Sequence, residues 1–253
     1  FVNSVDGKRF ETINPSTGEV ITSVAEASEK DVDIAVEAAA KAFNEEWIHV
    51  DGKERGRLLN KLADLMERDI DDLAALESLD NGKAFTAARS GDLPASISTS
   101  EFTPLTALKV GALIKEAGFP KGVVNILSGF GPTAGAAVAN HMKIDKVAFT
   151  GRSILKASAE TNLKKVSLEL GGKSPNIIFA DSDLEEAVKW AYQGIFFNQG
   201  QCCSAGSRVY VEDSIYDKFL EKFKAHAQSI KVGDPFHKDT YQGPQISQRQ
   251  FDR

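Results

Sequence analysis

Between Val123 and Val211 short β-branched runs alternate with amphipathic stretches of helical length, and that alternation leaves few folds open to the chain. Val123 to Leu127, Lys146 to Thr150, Val166 to Leu170, Asn176 to Phe179 and Arg208 to Val211 read as strands. Gly131 to His141, Ser153 to Leu163 and Asp183 to Phe197 read as helices between them, with Asp183 as a cap. Consecutive parallel strands need a crossover, usually a helix, whereas antiparallel neighbours need only a tight turn. The pattern therefore predicts an α/β protein with a mostly parallel sheet. Such sheets bind ligands, nucleotides above all, beyond the carboxyl ends of their strands. A further amphipathic helix, Ser214 to Ile230, sets Tyr216, Phe219, Leu220 and Phe223 on one face.

The part before Val123 has a different texture. Asn14-Pro15-Ser16-Thr17-Gly18 is a turn-forming cluster between Phe10/Ile13 and Val20/Ile21, which predicts a hairpin. Three helical patterns follow: Asp31 to Trp47, Lys53 to Arg68 and Asp71 to Leu79, with apolar residues recurring at three and four. From Ser90 to Ser100 the pattern collapses into Gly, Pro, Ser and Thr, which by itself reads as a loop or linker. Thr103 then supplies an N-cap with Pro104 at the first helical position, and the helix runs to Gly118 and Pro120.

Composition narrows the function classes. The 253 residues are 42% hydrophobic and 26% charged, too apolar and too mixed for a disordered chain and long enough for one large or two average domains. Thirty Lys and Arg against 36 Asp and Glu leave a net charge of −6, with no basic block to track phosphates, so nucleic acid is not an expected partner. No apolar run reaches the length of a membrane span. The only cysteines, Cys202 and Cys203, are adjacent, a spacing at which a disulfide strains the intervening peptide. Two free thiols and no targeting segment predict a cytoplasmic protein. The opening Phe1 and the unpunctuated end at Arg253 predict a fragment. Four scattered histidines, His49, His141, His226 and His237, without ligand spacing predict no metal site.

Three constellations carry potential chemistry. Gly129-Phe130-Gly131-Pro132-Thr133-Ala134-Gly135 lies between a predicted strand and a helix, where glycines let backbone amides approach a pyrophosphate; its third glycine comes one residue late for the dinucleotide fingerprint, so a plain turn stays open. Asn198 to Arg208 places Cys202 and Cys203 among Gly, Gln, Asn and Ser, where a core thiol would have aliphatic neighbours; an inert thiol and a nucleophile are both compatible with it. Glu169 interrupts the apolar run Val166 to Leu170 just before paired glycines, either as an exposed strand residue or as a desolvated general base.

Together with Asn14 to Gly18, Glu101-Phe102-Thr103-Pro104-Leu105-Thr106-Ala107-Leu108, Gly118-Phe119-Pro120 and Phe149-Thr150-Gly151, the blocks Leu168 to Pro175 and Gly200 to Arg208 closely resemble the aldehyde dehydrogenase superfamily over nearly the whole chain. The resemblance implies a Rossmann-like NAD-binding domain over 1–170 and the start of a catalytic α/β domain over 171–253. It implies oxidation of a small-molecule aldehyde to a carboxylic acid with NAD as cofactor. Cys203 would be the nucleophile, passing through a thiohemiacetal and a thioester, with its backbone N–H as one oxyanion donor; Cys202 would be only its neighbour. Glu169 would activate the hydrolytic water. On the cofactor side, Glu101 would contact the adenine ribose hydroxyls and favour NAD over NADP, with Gly129, Pro132, Gly151 and Leu170 along the binding surface.

The same resemblance exposes departures. The family's Lys three residues before the Glu101 position is Ser98 here, and the Pro-Trp-Asn-Phe-Pro segment whose Asn completes the oxyanion hole has no counterpart. Internal deletions are therefore expected near 99–100 and, because the chain passes straight from Gly151 to Arg152-Ser153-Ile154, near 151–152. Weak or absent dehydrogenase activity follows, with a non-catalytic remnant that acts by subunit or protein association as the alternative. Residual ester hydrolysis, which needs nucleophile and base but no cofactor, is a third reading. Homo-oligomerisation, a family property, is doubtful for a chain lacking these parts.

Overall fold

The computed structural model describes residues 2–92, 103–149 and 151–253. Glu101, Ser98 and the expected junction at 99–100 lie outside the described residues.

The chain opens as an antiparallel hairpin, β1 (Arg9–Ile13) and β2 (Val20–Ala25), with a register irregularity at Thr12/Ile13 and a turn closed by Gly18 N–H donating to Asn14 O at 2.8 Å. Helix α1 (Glu29–Glu45) starts where Asp31 accepts from both Ser28 N and Ser28 Oγ, at 2.8 and 2.7 Å, and from Val5 N at 2.9 Å. Burial alone would raise the Asp31 pKa, but these three donors outweigh it and hold the carboxyl below its ordinary value. Helix α2 (Gly52–Arg68) is capped by Asp51, which accepts from Glu54 N, and α3 (Ile70–Asn81) ends at Gly82, whose φ of 80° is the left-handed stop that glycine permits.

A short turn of helix, α4 (Phe85–Ala87), and a wider turn, Ala88–Asp92, bring Ala88 against Leu73, Ala74 and Leu113 in a small core. Helix α5 (Leu105–Ala117) begins one residue later than the sequence predicts, with Pro104 itself as N-cap and no side-chain cap from Thr103. Proline has no N–H, and the first orphan donor, Leu105 N, instead meets Asp80 Oδ2 at 2.9 Å, so a buried carboxylate on α3 caps α5 from outside it.

The stretch Val123 to Leu127 is not a strand. A strand exists only with a ladder partner, and among the described residues this segment has none; its neighbour Ser128 O accepts a single bond from Ala27 N. Gly131 to His141 is likewise split into a π-type turn, Gly131–Gly135, and the five-residue α6 (Ala136–Asn140).

From there the strand–helix alternation holds. Strand β3 (Lys146–Phe149) pairs in parallel with β4 (Lys165–Leu168) across helix α7 (Arg152–Glu160), and β5 (Pro175–Ile178) pairs in parallel with β6 (Arg208–Val211) across helix α8 (Leu184–Phe196), which Asp183 caps through Glu185 N and Glu186 N. Helices α9 (Tyr216–Ser229) and α10 (Gln248–Asp252) follow. The α/β class and the parallel pairing are as the sequence predicts. The described strands form three two-stranded sheets and not one continuous sheet.

Among the described residues the core falls into separate clusters: the α3–α5 group above, Ala139 with Val147, Ile154 and Ala157, and Ile178 with Val188, Ala191 and Phe219. Helices α8 and α9 cover one face of β5–β6, while Ile177, Phe179 and Tyr210 are 59%, 63% and 52% exposed. Parallel sheets are normally buried on both faces. Among the described residues no helix is long and apolar enough to cross a membrane.

Candidate active site

Glu169 leaves the carboxyl end of β4, where its N–H still donates to Phe149 O at 3.0 Å and extends the parallel ladder by one bond. Its side chain and that of Leu170 are exposed. Gly171 and Gly172 carry the chain towards β5, and at Gly172 the absence of a side chain has a purpose: a Cβ there would lie 3.1 Å from the carbonyl oxygen of Cys203. Two further bonds tie the same segments together, from Arg208 Nε to Lys173 O at 2.7 Å and from Arg208 N to Ser174 O at 3.3 Å. The connection after Glu169 and the connection holding Cys203 therefore run side by side. Parallel pairing of β5 with β6 forces this, because both segments enter their strands at the same end.

The thiols differ in setting. Cys203 is exposed, whereas Cys202 is half-buried with Sγ 3.4 Å from Ser204 Oγ. That hydroxyl, with the Ser204 backbone amide, holds the Cys202 pKa below its ordinary value. Gly206 N donates to Gly194 O and Gly206 packs on Asn176, so the loop is anchored on α8 and β5 just past the thiols.

Before the thiols the chain makes a strained elbow. Asn198 and Gln199 have φ of 55° and 58°, left-handed conformations that cost a residue with a side chain, and Gly200 follows at 77°. Asn198 Nδ2 donates to Gln201 O at 2.9 Å, and Gln199 Nε2 donates to Pro244 O at 2.7 Å. A cavity of about 480 Å³ opens beside the elbow, lined by Gln193, Phe197, Asn198, Gln199, Lys83 and Tyr241 among others.

The residues expected along the cofactor are spread more widely. Gly129 lies against protein, since a Cβ would come 2.8 Å from Ala134 Cβ and 3.1 Å from Ala27 O. Thr133 N and Gly135 N both donate to Phe130 O, and Pro132 has no N–H, so these amides of the turn are occupied or lacking. Gly151 is different: it is the N-cap of α7 with φ 112°, no side chain caps the helix, and the space where a Cβ would stand is open. Leu170 is next to Glu169 and 59% exposed.

The histidines stand apart from the thiols in their contacts: His141 pairs with Asp33 at 3.2 Å, His226 meets the Tyr192 ring edge, and His237 lies near Lys231 and Asp239. Two residues escaped the sequence reading. The role of Asp80 depends on Leu105, and that of Gln199 on Pro244, 45 residues away; no local motif marks either contact.

The aldehyde dehydrogenase family model matches residues 1–102 and 97–253. An aldehyde dehydrogenase of Emericella nidulans is 52% identical over 323 aligned residues, taking in all of this chain and 65% of that protein. Retinal dehydrogenase 2 of Mus musculus is 45% identical, with 99% of this chain and 62% of that protein aligned. An NAD+ complex of the aldehyde dehydrogenase from Bacillus cereus superposes with a TM-score of 0.95 at 40% identity, over 100% of this chain and 66% of that one. The chain thus spans about 65% of the length of the fungal relative. An alignment of 323 positions against 253 residues leaves about 70 positions of that relative without a counterpart, and the two family matches meet at 97–102.

Proposed function

Because the chain belongs to the aldehyde dehydrogenase family, we propose that it carries the nucleophile and the base of NAD-dependent aldehyde oxidation while turning aldehyde over weakly. The observation that carries this reading is the close approach of Gly172 to the Cys203 carbonyl, which sets the thiol's loop against the segment that follows Glu169. The proposed division is an NAD-binding domain over 1–170, deleted near 99–100 and 151–152, and a partial catalytic domain over 171–253.

In this reading the Cys203 thiolate attacks the aldehyde carbon; the C–S bond forms as the carbonyl π pair moves to oxygen, giving a thiohemiacetal. The Cys203 backbone N–H would stabilise the oxyanion. NAD+, when bound, supplies the acceptor for the hydride. Glu169 then takes a proton from the water that displaces the acyl group from Cys203 sulfur, and the acid leaves with the thiolate restored.

The cofactor surface fits in part. The open space at Gly151 and the uncapped amino end of α7, at the carboxyl end of β3, suit a pyrophosphate. The Gly131–Gly135 turn does not offer its Thr133 and Gly135 amides, which Phe130 O already accepts. Glu101 remains the residue proposed for the adenine ribose, with Gly129, Pro132 and Leu170 alongside as the family resemblance implies. The expected outcome with a simple aldehyde and NAD+ is slow NADH formation that disappears in Cys203→Ala. Robust turnover, or turnover that survives that substitution, contradicts the proposal.

A second reading, association without catalysis, is favoured by the uncovered β5–β6 face. Size-exclusion chromatography separates the two: a clean folded monomer at all concentrations removes the association reading.

A further inference from the structure

The elbow at Asn198 and Gln199 has a conformation that its own residues do not favour, and such strain persists only where surrounding contacts enforce it. The contacts within the elbow are local: Asn198 Nδ2 and Asn198 O both meet Gln201. Gln199 reaches out. Its Nε2 donates to Pro244 O at 2.7 Å, with both residues partly buried, and Gln201 Nε2 makes a longer contact to Gln245 Oε1 at 3.3 Å.

The acceptor is firmly mounted. A side chain on Gly82 would meet the Pro244 ring at 2.9 Å, and buried Gly243 rests on the Gly82 carbonyl, so the 243–244 peptide is wedged against the end of α3. Behind it, Tyr241 N donates to Lys231 O and Gly233 N to Gln242 O. Tyr241 Oη also donates to Gln193 Oε1 at 2.5 Å, tying the same strap to α8. The strap is therefore a fixed post, and Gln199 ties the elbow to it.

We propose that Gln199 is a positioning residue for Cys203, holding the left-handed elbow through Pro244 so that the thiol is presented at one place. The proposal rests on Cys203 being the nucleophile. Freed from Pro244, Asn198 and Gln199 would relax to right-handed or extended backbone, and every atom from Gly200 to Cys203 would swing with them. The Gln199 side-chain nitrogen is committed to a backbone carbonyl.

The experiment compares the full chain with Gln199→Met, which keeps the shape and removes the donor, and with Gln199→Lys, whose ammonium can again donate to Pro244 O. Two readouts are taken: amide hydrogen exchange over 200–204, and acylation by p-nitrophenyl acetate, which needs no cofactor. In Gln199→Met, exchange over 200–204 rises about tenfold while α3 and α8 exchange as before. The acylation rate at saturating ester falls about tenfold with the half-saturating concentration unchanged, because geometry and not ester binding is lost. Gln199→Lys recovers most of both. Wild-type exchange and acylation in Gln199→Met overturn the proposal, as does a change confined to the half-saturating concentration. If Gln199→Met does not fold, Gln199→Glu, isosteric and unable to donate as a carboxylate, takes its place. Absent acylation of Cys203 in the wild-type chain would sink the nucleophile reading alone, since the exchange comparison still decides whether Gln199 holds the loop.

Discussion

Gly243 rests so closely on Gly82 that a methyl group at 243 would fall inside the van der Waals shell of the Gly82 carbonyl oxygen. Neither partner can yield easily: Gly82 is the left-handed end of α3, and its open side faces the Pro15 and Pro244 rings at 2.9 Å. One glycine–glycine contact thus joins the hairpin turn, the end of α3 and the strap that receives Gln199.

Gly243→Ala is accordingly expected to destabilise the chain by about 1–3 kcal/mol or more, the cost of forcing an atom into a packed backbone contact. Gly131→Ala, at a position with open space and no left-handed backbone, should stay within about 0.5 kcal/mol. Chemical denaturation of the two variants checks the contrast; equal effects would show that the strap is not wedged.

The buried carboxyl of Asp80 gives a pH dependence of definite sign. Burial, first, and the nearby Glu77 charge raise its pKa from 3.8 to about 6, against a lowering by the Leu105 N–H bond. The folded value lies above the unfolded one, so this group's contribution is fully favourable below about pH 4 and is lost as pH rises through about 6. The loss is on the order of 2–3 kcal/mol for a shift of about two units. Asp80→Asn keeps an acceptor for Leu105 N and cannot ionise. It should match the wild type near pH 4 and exceed it in stability near pH 7.5; denaturation curves with the same pH slope in both proteins would refute the assignment.

The Ser204 hydroxyl lies 3.4 Å from Cys202 Sγ, where it favours the thiolate. Its hydroxyl is the first cause of the lowered Cys202 pKa, so Ser204→Ala should raise that pKa and cut the thiolate fraction at neutral pH. Alkylation of Cys202 with iodoacetamide, followed by peptide mapping, should slow a few-fold. An unchanged rate at Cys202 would mean the hydroxyl does not stabilise the thiolate.

How much of this was legible in the sequence follows from the range of each interaction. The Asp183 cap is local, closed by Glu185 N and Glu186 N, and the residues alone mark it. The run Val123 to Leu127 has strand chemistry but lacks a ladder partner, which is a property of other segments. Gly129 illustrates the ambiguity of glycine: a residue suited to approaching a phosphate is equally suited to approaching Ala27 and Ala134, and here it does the latter. The Thr103-Pro104 cap signal is displaced by Asp80, a distant carboxylate that no spacing rule connects to Leu105. At the site, residue type and setting leave Glu169 and both thiols open and the family resemblance alone singles out Glu169 and Cys203, whereas the fixed post behind Gln199 arises only when the chain returns at Pro244.

The central claim, that Cys203 and Glu169 act on one carbonyl carbon, is tested most directly by trapping the acyl group. The chain and its Glu169→Gln variant are treated with p-nitrophenyl acetate, quenched and mapped by mass spectrometry. The account predicts an acetyl group on Cys203 that is transient in the wild type and accumulates in Glu169→Gln, where release by water stalls. An acetyl group found on Cys202 or elsewhere, or one that leaves Cys203 equally fast in both proteins, would contradict it.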